Sequence, residues 1–301
     1  MPKAKSPFTG LSAFPLTPAD ESGRVDTAAL QGLLARIVEA KANSIGLLGS
    51  TGTYMYLTRD ERRRAVAAAV ECVAGRLPII VGVGALRTDE AGALARDAAS
   101  AGADALLLAP VSYTPLTEEE AFQHFSTVAA ATDLPLCIYN NPSTTHFTFS
   151  ENLLSRLADV PNIAAVKMPL PGEMDFSGEL ARLRNRTPAG FAIGYSGDWG
   201  ATDALLAGAD AWYSVVGGLF PNAAAALVRA ATEGDRAEAA RLDAMFVPLW
   251  QLFKGHGSLR VMYAASNLLG LSAAVPPRPV LPLGSEILPA VEAAIAALPE
   301  A

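Results

Sequence analysis

The chain has 301 residues, of which 51% are hydrophobic and 18% are charged, a balance that excludes intrinsic disorder. Its longest apolar runs are shorter than the roughly 18–20 residues that a spanning helix needs, which excludes a membrane protein. The net charge of −7 argues against nucleic acid as a partner, because binding phosphates requires a basic surface.

Cysteine and histidine are too few and too scattered to form a disulfide framework or a metal site. The chain has only Cys72 and Cys137, and its histidines are His124, His146 and His256. We therefore expect neither a metal nor a cofactor. Residues 1–15 lack the apolar segment of a secretory signal, so a cytoplasmic location is the default expectation.

Up to residue 215, short apolar runs alternate with segments rich in alanine and leucine. The runs are nearly continuous, which is typical of parallel strands covered on both faces. Eight of them, spaced by about one βα unit, predict an α/β fold, a closed (β/α)₈ TIM barrel. A doubly wound open sheet is the alternative, but no G-x-G-x-x-G turn follows the first strand. The predicted strands are residues 10–14, 44–48, 79–83, 105–108, 136–139, 163–167, 191–194 and 211–215, and the predicted helices between them are residues 27–40, 59–73, 89–100, 118–131, 150–157, 178–185 and 199–207.

After residue 215 the alternation stops and only helical segments follow, at residues 221–232, 235–253, 258–269 and 285–298. We interpret the first of these as the eighth helix of the barrel. The sequence thus predicts a barrel over residues 1–232 and a C-terminal helical region, residues 233–301, packed on it.

One lysine ends an apolar strand in a chain where lysine is rare. Lys167 closes the predicted strand 163–167. Burial disfavours the ammonium form, which makes such an amine a usable nucleophile toward a carbonyl. The alternative is a lysine that extends from the barrel mouth into water. The other lysines are Lys3, Lys5, Lys41 and Lys254.

Other reactive groups follow neighbouring strands. Tyr139 ends the strand before that of Lys167, and adjacent parallel strands lie about 4.8 Å apart, so the two side chains can meet over one pocket. A phenol beside an imine can transfer protons, whereas a packed aromatic at the barrel rim is the alternative. The turn Gly49-Ser50-Thr51-Gly52 suits a small carboxylate, and the proline-bracketed loop 110–115 contributes Tyr113, which packing alone could explain.

Together these segments resemble the dihydrodipicolinate synthase / N-acetylneuraminate lyase family of class I aldolase-type barrels, over nearly the whole chain. The resemblance rests on Phe14-Pro15-Leu16-Thr17-Pro18, Gly49-Ser50-Thr51-Gly52, Tyr139-Asn140-Asn141-Pro142, Val166-Lys167, Ser196-Gly197-Asp198 and a C-terminal run from Arg260 to Pro279.

The resemblance implies an imine between Lys167 and the carbonyl of pyruvate or another 2-oxo acid, with Tyr139 as general acid/base. The protonated imine is an electron sink, so carbon–carbon bond making or breaking and loss of water become accessible. The family also implies a homotetramer, a dimer of dimers. The remaining implied roles are carboxylate binding by Ser50 and Thr51, a backbone carbonyl of Tyr213 that faces the ketoacid, and a hydroxyl relay of Ser50, Tyr113 and Tyr139 across a subunit interface.

Two positions depart from the pattern of the synthase. The synthase carries an arginine two residues after the proline of Tyr-Asn-x-Pro, where it holds a distal substrate carboxylate, and this chain has Thr144. Threonine can bind substrate by a hydrogen bond but cannot supply a bidentate charged clamp. The glutamate expected after Gly52 is Thr53. We therefore expect a second substrate other than aspartate semialdehyde. His146, close to Thr144, is either a substrate contact or a solvent-exposed loop histidine.

The sequence leaves three functions open. The first is a Schiff-base aldolase or dehydratase that acts on a 2-oxo acid and a small aldehyde or sugar acid. The second is a true dihydrodipicolinate synthase, which condenses pyruvate with aspartate semialdehyde. The third is a protein that binds 2-oxo acids without turnover, because fold-level analogy does not fix function. A small molecule is the expected partner in each case.

Overall fold

A computed structural model describes residues 6–298, so Lys3, Lys5 and the outer ends of the two predicted regions lie outside the described residues. Eight parallel strands form a closed barrel in the order β1 to β8, with β8 pairing back to β1. The predicted (β/α)₈ barrel is confirmed. The strands are β1 (Gly10–Ala13), β2 (Ser44–Leu47), β3 (Ile79–Gly82), β4 (Ala105–Leu108), β5 (Leu136–Tyr139), β6 (Ile163–Met168), β7 (Ala192–Tyr195) and β8 (Ala211–Ser214).

Helices connect the strands and cover the outside of the barrel. They are α1 (Thr27–Glu39), α2 (Arg59–Val73), α3 (Thr88–Ala101), α4 (Glu118–Ala129), α5 (Pro142–Thr145), α6 (Glu151–Ala158), α7 (Phe176–Arg184), α8 (Ala201–Leu206), α9 (Pro221–Thr232), α10 (Arg236–His256), α11 (Ser258–Leu268) and α12 (Leu288–Ala296). None of the helices within residues 6–298 combines the length and apolar character that crossing a membrane requires.

Capping side chains decide where several helices begin. Thr117 and Glu120 form a reciprocal capping box at the start of α4. Asp175 accepts the Gly178 N–H, so α7 begins at Phe176, two residues before the predicted start at residue 178. The predicted helix 199–207 divides into a short 3₁₀ turn, Asp198–Gly200, followed by α8.

Of the last three helices, α10 packs against the barrel's own helices, and α11 and α12 pack on α10 and on each other. Helix α10 contacts α9 and α8, and α12 contacts both α10 and α11. Helix α12 begins at Leu288, three residues later than predicted, with Pro289 in its first turn. The boundary between residues 232 and 233 stays a prediction.

Aromatic rings fill the upper part of the barrel interior. The rings of Phe14 and Tyr213 meet edge to face, with centroids 6.1 Å apart. Two glycines leave room for these rings. A Cβ at Gly46 would overlap the Phe14 ring, and one at Gly194 would lie 2.6 Å from the Tyr213 ring. The barrel is therefore packed below the carboxyl ends of its strands, where a site can form.

Candidate active site

Lys167 lies inside the barrel with only 4% of its surface exposed. Its Nζ is 4.0 Å from the ring centroid of Phe14, 4.3 Å from that of Tyr139 and 5.7 Å from that of Tyr213. The amine therefore does not extend into bulk solvent, which was the alternative interpretation of its sequence position. A buried amine among ring faces is positioned to meet a small carbonyl compound.

Tyr139 is the register partner of Lys167 across β5 and β6. Its hydroxyl lies 3.3 Å from the Ser50 hydroxyl, and either group could be the donor. Asn141 Nδ2 donates a 2.9 Å hydrogen bond to the same phenol oxygen. The structure thus brings Lys167, Tyr139 and Ser50 together, and it adds Asn141. Asn141 belongs to the motif Tyr139-Asn140-Asn141-Pro142, but nothing in the sequence pointed to this contact.

The turn after β2 is tight because backbone groups approach one another closely. The Thr53 N–H donates to the Ser50 carbonyl at 3.1 Å, and a Cβ at Gly52 would lie 3.1 Å from the Cα of Leu48. Thr51 is buried and Ser50 is half-buried. Thr53, which stands where the synthase has glutamate, is buried and has a left-handed φ of 52°.

Thr144 lies on α5, a single helical turn that the sequence analysis did not predict. Pro142 begins this helix, and Asn141 donates to the Thr144 hydroxyl at 2.9 Å. Asn141 Nδ2 therefore connects Thr144 to Tyr139. Thr144 is exposed, and so is His146, which caps α5 with a φ of 55°. A substrate contact for either side chain stays a prediction.

Tyr113 is separated from the other hydroxyls of the expected relay. Its side chain is 97% exposed, and no hydrogen bond within residues 6–298 joins it to Ser50 or Tyr139. A relay through Tyr113 would therefore need the phenol of a second subunit. That arrangement stays a prediction.

Tyr213 lies on β8 with its side chain fully buried in the barrel. Its hydroxyl is 3.5 Å from the Sγ of Cys137. Burial raises the pKa of the Cys137 thiol to about 12 and raises that of Tyr213 well above its usual range. Both groups are therefore neutral near pH 7. The expected role of the Tyr213 carbonyl toward a ketoacid stays a prediction.

Asp198 is a buried carboxylate that the sequence analysis left without a role. Its carboxylate accepts hydrogen bonds from Trp212 Nε1 at 3.0 Å, from the Val215 N–H at 3.1 Å and from the Val216 N–H at 2.7 Å. Burial raises the pKa of Asp198 to about 6, and the three donors and the charge of Lys167 oppose that rise. The only sequence signal was its place in Ser196-Gly197-Asp198, directly after β7.

These groups suit covalent chemistry on a carbonyl compound. The site combines an amine, a phenol and hydroxyls at the carboxyl ends of neighbouring strands, as in other barrel enzymes of this fold. Over the described part of the chain, no three histidine, cysteine, aspartate or glutamate side chains are grouped so that they could hold a metal ion.

The fold and these groups define a (β/α)₈-barrel enzyme with a lysine and a tyrosine at neighbouring strand ends. The model of the dihydrodipicolinate synthetase family matches residues 7–298. The chain belongs to this family, whose enzymes are lyases.

Three similar proteins show how close the likeness is. The 4-hydroxy-tetrahydrodipicolinate synthase of Leptothrix cholodnii is 33% identical over 294 residues, which cover 96% of this chain and 98% of that protein. The crystal structure of a dihydrodipicolinate synthase from Agrobacterium tumefaciens is 63% identical, with a TM-score of 0.97 and coverage of 98% of this chain and 100% of that one. The chloride-inhibited dihydrodipicolinate synthase from Acinetobacter baumannii, solved in complex with pyruvate, is 28% identical, with a TM-score of 0.89 and coverage of 96% and 98%.

The names of these relatives favour one of the alternatives that the sequence left open. They agree better with a true dihydrodipicolinate synthase than with a lyase for some other aldehyde or sugar acid. Both a dihydrodipicolinate synthase and a lyase for another aldehyde would be enzymes that form a Schiff base, so the names of the relatives are compatible with that broader class.

Proposed function

We propose that this protein is a Schiff-base-forming lyase, an aldolase or dehydratase whose first substrate is pyruvate or a related 2-oxo acid. The buried amine of Lys167 beside the phenol of Tyr139 carries the proposal. The neutral amine adds to the C2 carbonyl carbon, one proton is taken up and water leaves, so that the resulting iminium carries one positive charge. Tyr139 then moves protons to and from the reacting carbon and oxygen atoms.

The surroundings of the amine support this chemistry. Phe14, Tyr139 and Tyr213 present rings to Nζ and keep bulk water away from it. Ser50 and Thr51 lie in a turn that can receive the carboxylate of a 2-oxo acid, and Ser50 contacts the Tyr139 hydroxyl. The solved relative in complex with pyruvate is consistent with this first substrate.

Borohydride trapping tests the proposal directly. The protein is incubated with pyruvate and borohydride, and the modified peptide is identified by mass spectrometry. We expect an adduct of one pyruvate on Lys167, none in Lys167→Arg, and an unchanged yield in Lys254→Ala, which removes a lysine that lies over the exposed ring of Trp199 instead. No adduct, or an adduct on another lysine, would refute the proposal.

A second candidate narrows the aldehyde to aspartate semialdehyde, which makes the protein a true dihydrodipicolinate synthase. The names of the relatives at 33% and 63% identity support it. Thr144 stands against it, because a neutral hydroxyl supplies a single hydrogen bond and no charge, whereas an arginine holds a distal carboxylate in bidentate fashion.

The variant Thr144→Arg separates the two candidates. If the natural second substrate is a different compound, the wild type condenses aspartate semialdehyde with pyruvate only slowly. In that case Thr144→Arg raises kcat/KM for aspartate semialdehyde by about tenfold or more, because a guanidinium can hold the carboxylate in bidentate fashion. The control Leu281→Arg places the same charge at an exposed position outside the barrel and has little effect. Efficient condensation by the wild type, with no gain from arginine, identifies the synthase.

The proposal includes a homotetramer, carried over from the family, and a cytoplasmic location, which is the default expectation from the sequence. Scattering or sedimentation of the purified protein measures the assembly. Thermal stabilisation by pyruvate without turnover of any tested aldehyde or sugar acid would favour the third function, binding alone.

A further inference from the structure

The ring of Phe14 lies between the amine of Lys167 and the turn that follows β2. Lys167 Nζ lies over the ring, 4.0 Å from its centroid. The edge of the ring packs against Gly49, where a Cβ would lie 2.6 Å from the ring carbon Cδ1. Gly49 directly precedes Ser50 and Thr51, the residues expected to hold the carboxylate of a 2-oxo acid. One side chain therefore contacts both halves of the candidate site.

The barrel fixes the position of this ring. The Phe14 N–H donates to the Ser214 carbonyl of β8 at 2.9 Å, and the ring meets that of Tyr213 edge to face. Phe14 is 1% exposed and belongs to the interior cluster of the barrel, together with the buried side chains of Ile80 and Leu107. Because a close-packed interior resists displacement of a ring, a bound molecule has to adapt to Phe14.

We propose that Phe14 limits the size of the 2-oxo acid that the site accepts. Its ring is the floor on which the acid lies, and it leaves room for a methyl group at C3 of the acid but not for a branched group. The inference rests on the proposed function, because it concerns the acid bound to Lys167. Phe14 determines specificity in this scheme and takes no part in proton transfer, since its side chain has no polar atom.

The covalent geometry of the iminium gives this role its physical reason. Lys167 Nζ, the carboxylate carbon and C3 are all bonded to the trigonal C2 carbon of the acid, so the three atoms lie in one plane. With Nζ over the Phe14 ring and the carboxylate at the turn beside that ring, C3 also comes close to the ring. The ring face suits the positive charge of the iminium, whereas added bulk at C3 has to displace the ring.

The other residues around the amine leave Phe14 as the main source of bulk besides Tyr139, whose ring centroid is 4.3 Å from Lys167 Nζ. Tyr213 is farther away, with its centroid 5.7 Å from Nζ. Gly194, the register partner of Lys167 on β7, has no side chain, and Ala165, two residues before the lysine on β6, has only a methyl group. Truncating Phe14 is therefore the change that enlarges the site.

The experiment compares two 2-oxo acids that have the same charge and different bulk. Pyruvate carries a methyl group on the ketone carbon, and 3-methyl-2-oxobutanoate carries an isopropyl group. Wild type, Phe14→Ala and Phe8→Ala are each incubated with a limiting concentration of one acid and cyanoborohydride, and the rate of adduct formation at Lys167 is followed by mass spectrometry. Each rate is divided by the rate measured with Nα-acetyllysine, which removes the intrinsic reactivity of the two ketones.

We expect the wild type to favour pyruvate by roughly tenfold or more, because one added carbon in a hydrophobic pocket changes specificity by about 10–200-fold. Phe14→Ala should reduce this preference by about tenfold or more. Phe8 is the matched control, because it is a phenylalanine of the same interior cluster, also 1% exposed, but precedes β1 and so lies at the amino end of the strand. A cavity made there lowers stability and leaves the preference unchanged.

The outcomes separate the inference from the proposed function. A wild type that traps neither acid overturns the proposed function and this inference with it. Equal normalised rates for the two acids in the wild type, or an unchanged preference in Phe14→Ala, overturn the inference alone. If Phe14→Ala does not fold, Phe14→Leu keeps more of the volume, and its preference for pyruvate should still fall by about threefold or more. An unchanged preference in Phe14→Leu would then overturn the inference.

Discussion

Tyr139 and Lys167 are paired residues of adjacent strands, and the Lys167 Nζ lies 4.3 Å from the centroid of the Tyr139 ring. The amine therefore contacts the face of the ring, whereas the phenol oxygen is directed to Ser50 and Asn141. The two functions of this tyrosine are separable, because the ring packs against the amine and the hydroxyl belongs to a hydrogen-bonded network.

Tyr139→Phe keeps the ring contact and removes the hydroxyl. We expect kcat to fall by about 10²–10⁴-fold, because proton transfer by a positioned group contributes that much, while the imine with pyruvate still forms at Lys167. Steady-state kinetics with the identified aldehyde and borohydride trapping measure the two effects. The control Tyr56→Phe alters an exposed tyrosine and should leave both unchanged. A kcat within about twofold of the wild type in Tyr139→Phe would exclude the acid/base role.

Asn141→Ala removes the side chain that donates to both Tyr139 and Thr144. A hydrogen bond of this type contributes about 1 kcal/mol, so we expect kcat to fall by roughly fivefold to tenfold as the phenol loses its orientation. Stability should change little, because the side chain is only half-buried. Kinetics and thermal unfolding check this against Asn267→Ala, which removes an exposed bond to Ala274 far along the chain. Equal kinetics for the two variants would show that Asn141 does not orient the phenol.

Gly82 and Gly32 should respond to alanine in opposite directions. A Cβ at Gly82 would overlap the carbonyl oxygen of Leu48, the residue directly after β2. This oxygen is backbone and cannot move aside, so we expect stability to fall by more than about 2 kcal/mol. Gly32 lies within α1 with open space around it, so alanine should stabilise by about 0.5–1 kcal/mol. Urea unfolding measures both effects on stability, and effects of the same sign would contradict the close approach of Gly82 to Leu48.

The pKa of Asp198 makes part of the stability depend on pH. The folded carboxyl titrates at about 6, whereas an exposed aspartate titrates near 3.9. Between these values the folded chain holds a proton that the unfolded chain lacks. The stabilising contribution is therefore complete below about pH 4 and is lost as the pH rises through 6, by on the order of 2–3 kcal/mol. We expect the free energy of unfolding of the wild type minus that of Asp198→Asn to decline over this range.

Urea unfolding at several pH values between 4 and 7 measures this difference. Glu238→Gln is the control with the opposite sign, because the hydrogen bonds from Arg241 hold the pKa of Glu238 below its usual value. A wild-type-to-Asp198→Asn difference that is constant with pH would show that the carboxyl titrates alike in the folded and unfolded chains.

The sequence predicted the barrel well because its strands are buried on both faces and therefore appear as continuous apolar runs. All eight were placed within a residue or two of the observed bounds. Lys167 stood out because lysine is rare, and Tyr139 because it ends the preceding strand. Asp198 and Asn141 did not stand out, since their contacts are made only on folding. Asp198 bonds to Trp212 and Val216, and Asn141 bonds to the phenol of Tyr139.

Short helices were also hard to predict. Helix α5 has only one turn, which gives no apolar periodicity to detect, although Pro142 marks its start. The neighbourhood of Tyr113 could not be predicted either, because an almost fully exposed side chain leaves no packing pattern in the sequence.

The ring of Phe14 occupies volume that exists only because position 46 has no side chain. Substitutions at positions 14 and 46 can therefore accumulate in only one order. A smaller residue must replace the ring of Phe14 before a residue larger than glycine is tolerated at position 46 on β2. Homologues that have lost the glycine should therefore also have lost the phenylalanine, and a library that randomises both positions together should recover combinations that single-site libraries never yield.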